Sequence, residues 1–202
     1  MSNRTYLEKQ VAHKGCIIKI YRDDDSESPR EWDNLGTIYS NHRRWNPDGK
    51  EIGDLMEMAG QSRYDAKIDF DRIAKDFYFL KVWMYDHSGQ TIRVADANPW
   101  GNMGYMSWDS GLCGVIAVSK EKAKEEYSYK RACKGLEKRA LKCLTGEIET
   151  LNQFMQGEVW GYVVEDENGE EIDSCWGYYA IEDAIADAKG TIDYQEEKKV
   201  TE

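Results

Sequence analysis

The amino-acid sequence predicts an α+β fold: a mainly antiparallel sheet, one long amphipathic helix, and a C-terminal hairpin followed by a last helix. Three observations carry this prediction. Residues 77–85, Phe-Tyr-Phe-Leu-Lys-Val-Trp-Met-Tyr, are apolar apart from Lys81, the pattern of a central strand buried on both faces. Cys133, Leu136, Ala140, Leu144, Ile148, Leu151 and Met155 recur at spacings of three and four, which gives a helix over 130–155 one core-facing stripe. Asn168-Gly169 separates two alternating runs and is the strongest hairpin signal in the chain.

In chain order, residues 15–21 are β-branched and aromatic and run into Arg22-Asp23-Asp24-Asp25-Ser26, so a strand ends in a polar loop. A short strand is expected at 37–40, and Pro29-Arg30-Glu31-Trp32-Asp33-Asn34-Leu35-Gly36 before it holds too many turn formers for a regular element. Asn46-Pro47-Asp48-Gly49 marks a turn, and residues 46–66 carry no assigned element. One or two helical turns at 68–75 lead into the strand at 77–85, which Asp86-His87-Ser88-Gly89 reverses into 90–95. Beyond a loop rich in Gly, Asn and Trp over 98–110, residues 112–118 form the next strand and Ser119 caps a helix from Lys120. Gly135 and Gly146 each cost the long helix about 1 kcal/mol relative to Ala, which makes 145–146 a kink point, and Gly157 stops it.

On the hairpin, Trp160, Tyr162 and Val164 share one face, and Ile172, Trp176 and Tyr178 supply a similar face on the return strand. A helix over 181–189 turns Ile181, Ala184, Ile185 and Ala188 inward. No repeat or linker divides the chain. Residues 1–202 are therefore expected to form a single α+β domain with a frayed N-terminus and a frayed tail beyond Tyr194.

At 202 residues the chain is long enough to bury a core without disulfide or metal staples. Its longest apolar stretch, 112–118, falls far short of the roughly 20 residues of a spanning helix, and the first ten residues lack the apolar core of a secretory signal. A cytoplasmic address follows as the expectation. The five cysteines, at 16, 113, 133, 143 and 175, are odd in number and form no Cys-x-x-Cys pair, so reduced thiols are expected. His13, His42 and His87 are scattered, and neither a metal nor a cofactor is expected.

The net charge is -11, and its location matters more than its size. Residues 158–202 carry fourteen Asp and Glu against three Lys, so residues 1–157 balance. Within the neutral part, residues 120–142 hold nine Lys and Arg against four Glu. The acidic end either closes on this basic segment or stays open to a basic partner, and it disfavours direct contact with a nucleic-acid backbone. Trp and Tyr make up 20 of the 24 aromatic residues, an excess over Phe that suits half-buried faces and interfaces.

Asp86-His87-Ser88 holds an acid, an imidazole and a hydroxyl, but side chains at successive positions diverge, and a hairpin turn is the simpler reading. His42-Arg43-Arg44-Trp45 is a compact cation and aromatic cluster able to grip a phosphate or carboxylate, or to pair with Asp23, Asp24 or Asp25. Trp108-Asp109-Ser110-Gly111 and Asp173-Ser174-Cys175-Trp176-Gly177 each set a tryptophan beside small polar groups; together they would wall a polar pocket, and separately they cap a core. No Gly-x-x-x-x-Gly-Lys-Ser/Thr loop, Gly-x-Gly-x-x-Gly turn, Gly-x-Ser-x-Gly elbow or His-Glu-x-x-His helix occurs, which argues against an ordinary nucleotide-dependent or hydrolytic enzyme.

With the Pro29–Gly36 segment, His42-Arg43-Arg44, Tyr85-Asp86-His87-Ser88-Gly89, the Trp108 motif and the stretch 165–177 in that order, the sequence resembles a family of small proteins of phages and mobile elements of Gram-positive bacteria. The likeness spans about residues 15–179; the segment between Arg44 and Tyr85, and Leu112-Cys113, depart from the pattern. The resemblance transfers no catalytic residue. What it implies is a context, since small acidic accessory proteins of such elements are often inhibitors of host defence, anti-CRISPR and antirestriction proteins among them. The expected function is a non-catalytic inhibitor in the bacterial cytoplasm that binds a host defence protein or nucleoprotein complex. Its acidic, DNA-mimicking surface would comprise Glu165, Asp166, Glu167, Glu170, Glu171 and Asp173, with no membrane contact and no direct nucleic-acid binding. The alternative is a pocket protein or enzyme that acts on or sequesters a small nucleotide-like ligand through Arg43, Arg44, Asp86, His87, Trp108 and Asp109.

Overall fold

The computed structural model describes residues 6–201. The fold is α+β, as the periodicities predict, but its strands fall into two separate sheets. The chain divides into two compact units, Met1–Glu27 with Gln153–Glu202, and Ser28–Asn152, where the sequence alone suggests one domain. No linker signal marks the division because it falls inside a helix at one end and beside a polar loop at the other.

The first unit is a four-stranded antiparallel sheet with one helix. Strands β1 (Leu7–His13) and β2 (Cys16–Arg22) form a hairpin that the sequence shows only in its second half. Lys14 and Gly15 turn it with φ of +47° and +79°, the paired positive values of a tight two-residue reversal. The expected frayed N-terminus is thus a paired strand from Leu7 onward, and residues 1–5 lie outside the described residues. Later in the chain, two more strands, Trp160–Glu165 and Glu171–Tyr178, and a last helix, Ile181–Thr201, complete the unit in the sheet order β1, β2, Trp160–Glu165, Glu171–Tyr178. Ile18 and Ile20 of β2 meet Tyr162, Val164, Ala184, Ala188 and Ile192 in its core.

The second unit holds a five-stranded sheet. Its elements are β3 (Thr37–Ser40), β4 (Lys50–Glu51), α1 (Ile52–Met58), α2 (Phe70–Asp76), β5 (Phe77–Asp86), β6 (Gln90–Val94), β7 (Ser110–Ser119), α3 (Lys120–Glu126) and α4 (Lys134–Met155), in sheet order β4, β3, β7, β5, β6. All its pairs are antiparallel except β3 with β4. Tyr39, Val115 and Ala117 face one way and pack with Leu55 of α1 and Ile73 of α2. Side chains alternate along a strand, so Ile116 faces the other way, where it and Leu144 of α4 crowd the position of Gly36. Helices therefore cover both faces of this sheet. β5 is interior, yet Phe79, Lys81, Trp83 and Tyr85 are only half-buried, so its second face is not a sealed core.

The local signals are realised closely. Ser119 Oγ accepts the Lys122 N–H at 3.1 Å to start α3, and Gly157 (φ +67°) ends α4. Lys120 Nζ donates to the carbonyls of Ala74 and Lys75 at 2.7 and 2.8 Å, closing the end of α2. The long helix begins at Lys134 rather than Lys130, since Ser128 takes a positive φ of +57°.

With β8 as Trp160–Glu165, β9 as Glu171–Tyr178 and α5 as Ile181–Thr201, two expectations need correction. Gly177 (φ +89°) is an extra residue in β9, since Trp160 faces Tyr178 while Gly161 faces Trp176. That bulge moves Trp176 off the core face and leaves Tyr162 opposite Cys175; a second register shift, between Val164 and Glu165, skips Ile172, which stays exposed, and sets Asp173 opposite Val164. Helix α5 runs to Thr201 instead of stopping near Lys189, because Ile192 extends the stripe of Ala184 and Ala188. On its flank, Asp193 accepts from His13 Nε2 at 2.8 Å and Lys14 Nζ at 2.9 Å, and Glu196 pairs with Lys14 at 3.0 Å. The Lys14 ammonium, followed by the His13 bond, holds the Asp193 carboxyl below its usual range.

Candidate functional site

Charge separates by unit. The first unit carries eight Lys and Arg against nineteen Asp and Glu, and the second nineteen against nineteen, so the entire -11 resides in the first. Within it, the six acidic positions singled out from the sequence divide into two groups. Glu165 is bound to Lys19 Nζ at 2.6 and 2.7 Å and is largely covered. Asp166 caps its own turn, accepting the N–H groups of Asn168 and Glu170 at 2.8 and 2.9 Å, and those bonds keep its carboxyl below the usual range. Asp173 accepts the Tyr162 hydroxyl at 2.9 Å on the core face. Asp166 and Asp173 hold the β8–β9 hairpin together, and Glu165 ties β8 to β2. Glu167, Glu170 and Glu171 are exposed around the β8–β9 turn, and Glu182 and Asp183 are exposed on the first turn of α5.

Sequence reasoning missed a tyrosine and carboxylate network beneath that surface. Asp187 accepts hydrogen bonds from the Tyr178 hydroxyl and, at 3.5 Å, from Tyr162. Burial, then in Tyr162 the Asp173 contact, pushes the Tyr162 phenol up to about 12; burial and Asp187 raise Tyr178 further. The register shifts at Gly177 and Ile172 bring Tyr178 and Asp173 onto this face, and no local pattern announces them.

The proposed pocket set lies in the second unit. His87 Nδ1 stands 3.1 Å from Asp109 Oδ2, the Asp86 N–H donates to the Asp109 carbonyl at 2.9 Å, and His42 Nε2 is 3.9 Å from Asp86. Asp86, His87 and Asp109 thus converge at one end of β5 and β7. Trp108 is 89% exposed, and Arg43 and Arg44 are exposed with no side-chain bond among the described residues. The group forms an open surface, not an enclosed pocket. Trp45, the aromatic member of the His42-Arg43-Arg44-Trp45 cluster, is buried. The two tryptophan motifs belong to different units, Trp108 to the second and Trp176 to the first.

The Pro29–Gly36 segment has a structural role. Arg30, whose side chain is 5% exposed, reaches Asp48 with two bonds of 2.8 and 2.7 Å, Glu147 at 2.9 Å and the Gly36 carbonyl at 2.8 Å. Burial alone would lower its pKa; the Asp48 and Glu147 bonds outweigh that and raise it. The same carboxylates accept backbone groups, Ile38 N–H on Asp48 and Leu35 and Gly36 N–H on Glu147. Lys122 Nζ closes the loop on the Asn34 and Leu35 carbonyls. Beside this clamp lies a cavity of about 480 Å³, between Pro29 and Trp32 on one side and Tyr127, Arg139, Lys142 and Gly146 on the other. Three features of the sequence meet at it: the Pro29–Gly36 segment, the basic stretch 120–142 and Gly146, a mid-helix glycine.

All five cysteines are free thiols; burial pushes Cys113 up to about 12, while Cys133 and Cys175 are exposed. Among the described residues, no group of three or more His, Cys, Asp or Glu is placed to hold a metal ion, and no helix is long and apolar enough to cross a membrane. No family model matches the chain, and no curated protein or solved structure matches it significantly.

Proposed function

We propose that the chain is a non-catalytic accessory protein of phage or mobile-element origin that inhibits a host defence complex, of the anti-CRISPR or antirestriction type, by offering its acidic unit to a basic nucleic-acid channel. The observation that carries this reading is the complete segregation of the net charge: -11 on one compact unit and zero on the other. A protein that carried charge only for solubility would have no need to confine it to one unit. Such a field attracts a basic channel over roughly a Debye length and speeds encounter, so inhibition is expected to weaken as salt rises.

The contact set keeps half of the residues that the sequence indicates and adds two. Glu167, Glu170 and Glu171 around the turn and Glu182 and Asp183 of α5 present the charge, while Asp166 and Asp173 maintain the hairpin and Glu165 ties it to β2. The test is DNA cleavage by purified CRISPR effector ribonucleoproteins and restriction complexes of Gram-positive hosts, titrated with the chain. Inhibition by wild type, lost when Glu167, Glu170, Glu182 and Asp183 are all changed to Lys with the circular-dichroism spectrum unchanged, supports the reading. Inhibition that survives this reversal, or no inhibition of any complex, overturns it.

A further inference from the structure

The cavity beside the Arg30 clamp belongs to the neutral unit and is independent of the acidic surface. Its size, about 480 Å³, lies in the range of small-molecule sites. Its walls are flat and mostly apolar: the Trp32 indole, the Tyr127 ring and Pro29. Gly146 of α4 also lines it. A Cβ at that position would meet nothing within 4 Å, so the fold does not need a glycine there for packing. Glycine in a helix interior is unfavourable, and here its effect is to leave the groove open.

The electrostatics at the rim favour an anion. Arg139 lies over the Tyr127 ring, 5.2 Å from its centroid, and Lys142 is exposed; neither has an acidic partner among the described residues. Glu147 also lines the cavity, but Arg30 and the Leu35 and Gly36 N–H groups occupy its carboxylate. Burial, followed by its bond with Cys143, pushes the Tyr127 phenol up to about 12, and burial also raises the Cys143 thiol, so both stay neutral at ordinary pH. Glu126 is the remaining carboxylate felt by Tyr127 and Cys143, set against the two cations.

We propose that the cavity between Trp32, Tyr127 and Gly146 binds a small molecule with a flat ring and one anionic group, the ring between the aromatic walls and the anion on Arg139 and Lys142. A guanidinium already seated on an aromatic face is pre-positioned for a carboxylate or phosphate. An apolar peptide would fill the same walls but gain nothing from the two cations.

The test is calorimetric titration of the full chain with two matched pairs: indole-3-acetate against 3-methylindole for a carboxylate, and AMP against adenosine for a phosphate. Binding of at least one anion, with its neutral counterpart about tenfold weaker or worse, is expected. The better anion identifies the source. Arg139→Gln with Lys142→Gln should remove the preference for the anion, and Gly146→Leu should abolish binding by filling the cavity, with the melting temperature of each variant at or above that of wild type. Failure of both anions to bind overturns the proposal. Equal binding of the neutral members does so too, and points to an apolar docking groove. Binding that survives Gly146→Leu places the ligand elsewhere and also overturns it.

Discussion

Replacing Arg30 by Met tests the claim that the Pro29–Gly36 segment is a clamp on the fold rather than a recognition loop. The substitution keeps the apolar stem and removes the guanidinium, which makes two bonds to Asp48, one to Glu147 and one to the Gly36 carbonyl. Asp48 and Glu147 are only 13% and 10% exposed, so two carboxylates would stay in the interior without their counter-charge. Breaking a buried ion pair by removing one partner costs about 3–5 kcal/mol. Against a total stability of roughly 5–15 kcal/mol for a domain, that is a large share. In some proteins an apolar replacement of every member of such a cluster restores stability. Here it should not: changing Arg30, Asp48 and Glu147 together to Met, Leu and Leu would strip the acceptors from the Ile38, Leu35 and Gly36 N–H groups, each worth about 1–3 kcal/mol if left buried and unpaired. Urea unfolding followed by tryptophan fluorescence measures both variants. A loss below about 1 kcal/mol for Arg30→Met, or a triple variant as stable as wild type, would refute the assignment.

Three further outcomes are expected. Gly161→Ala drives its Cβ into the Trp176 ring and to 2.9 Å from the Cys175 carbonyl, a backbone atom of the paired strand, so it should lower stability by about 1–3 kcal/mol in the same urea assay. Gly177 makes no such close contact but has a φ of +89°, so Gly177→Ala tests backbone strain at the bulge and should also destabilise. Ultraviolet titration should find Tyr127 and Tyr162 ionising near 12, and Tyr178 beyond both. Because these phenols ionise near 10 in the unfolded chain, that chain releases protons first as pH rises. The stability they contribute is therefore intact below about pH 10 and lost as pH climbs through their folded values. Phenols that all ionise near 10 in the native protein would contradict the Asp187 network.

Much of the local structure was legible because its causes lie within a few residues. The stripe of Leu136, Ala140, Leu144, Ile148 and Leu151 is buried as its spacing requires, Ser119 and Gly157 bound their helices, and the 86–89 and 166–170 reversals sit where turn residues put them. Asp86, His87 and Asp109 lie together on an open surface, a meeting of two loops that neither motif states by itself. The acidic set was half legible: composition locates the charge, but whether a carboxylate faces solvent or a partner depends on the opposite strand, as Lys19 does for Glu165 and Tyr162 for Asp173. Arg30 read as one loop residue among many, since Asp48 and Glu147 lie 18 and 117 positions away.

The sequence by itself determined the α+β class, the turns and caps, the long helix and the lopsided charge, for each depends on neighbours in the chain or on a count of side chains. Only the tertiary structure decided that the strands form two sheets, that register shifts at Gly177 and Ile172 turn Trp176 away and Asp173 inward, and that Glu147 and Arg30 close the loop beside a cavity. The reason is physical: strand register and ion-pair partners are fixed by which distant segments bury one another, and a one-residue shift reverses every side chain it governs.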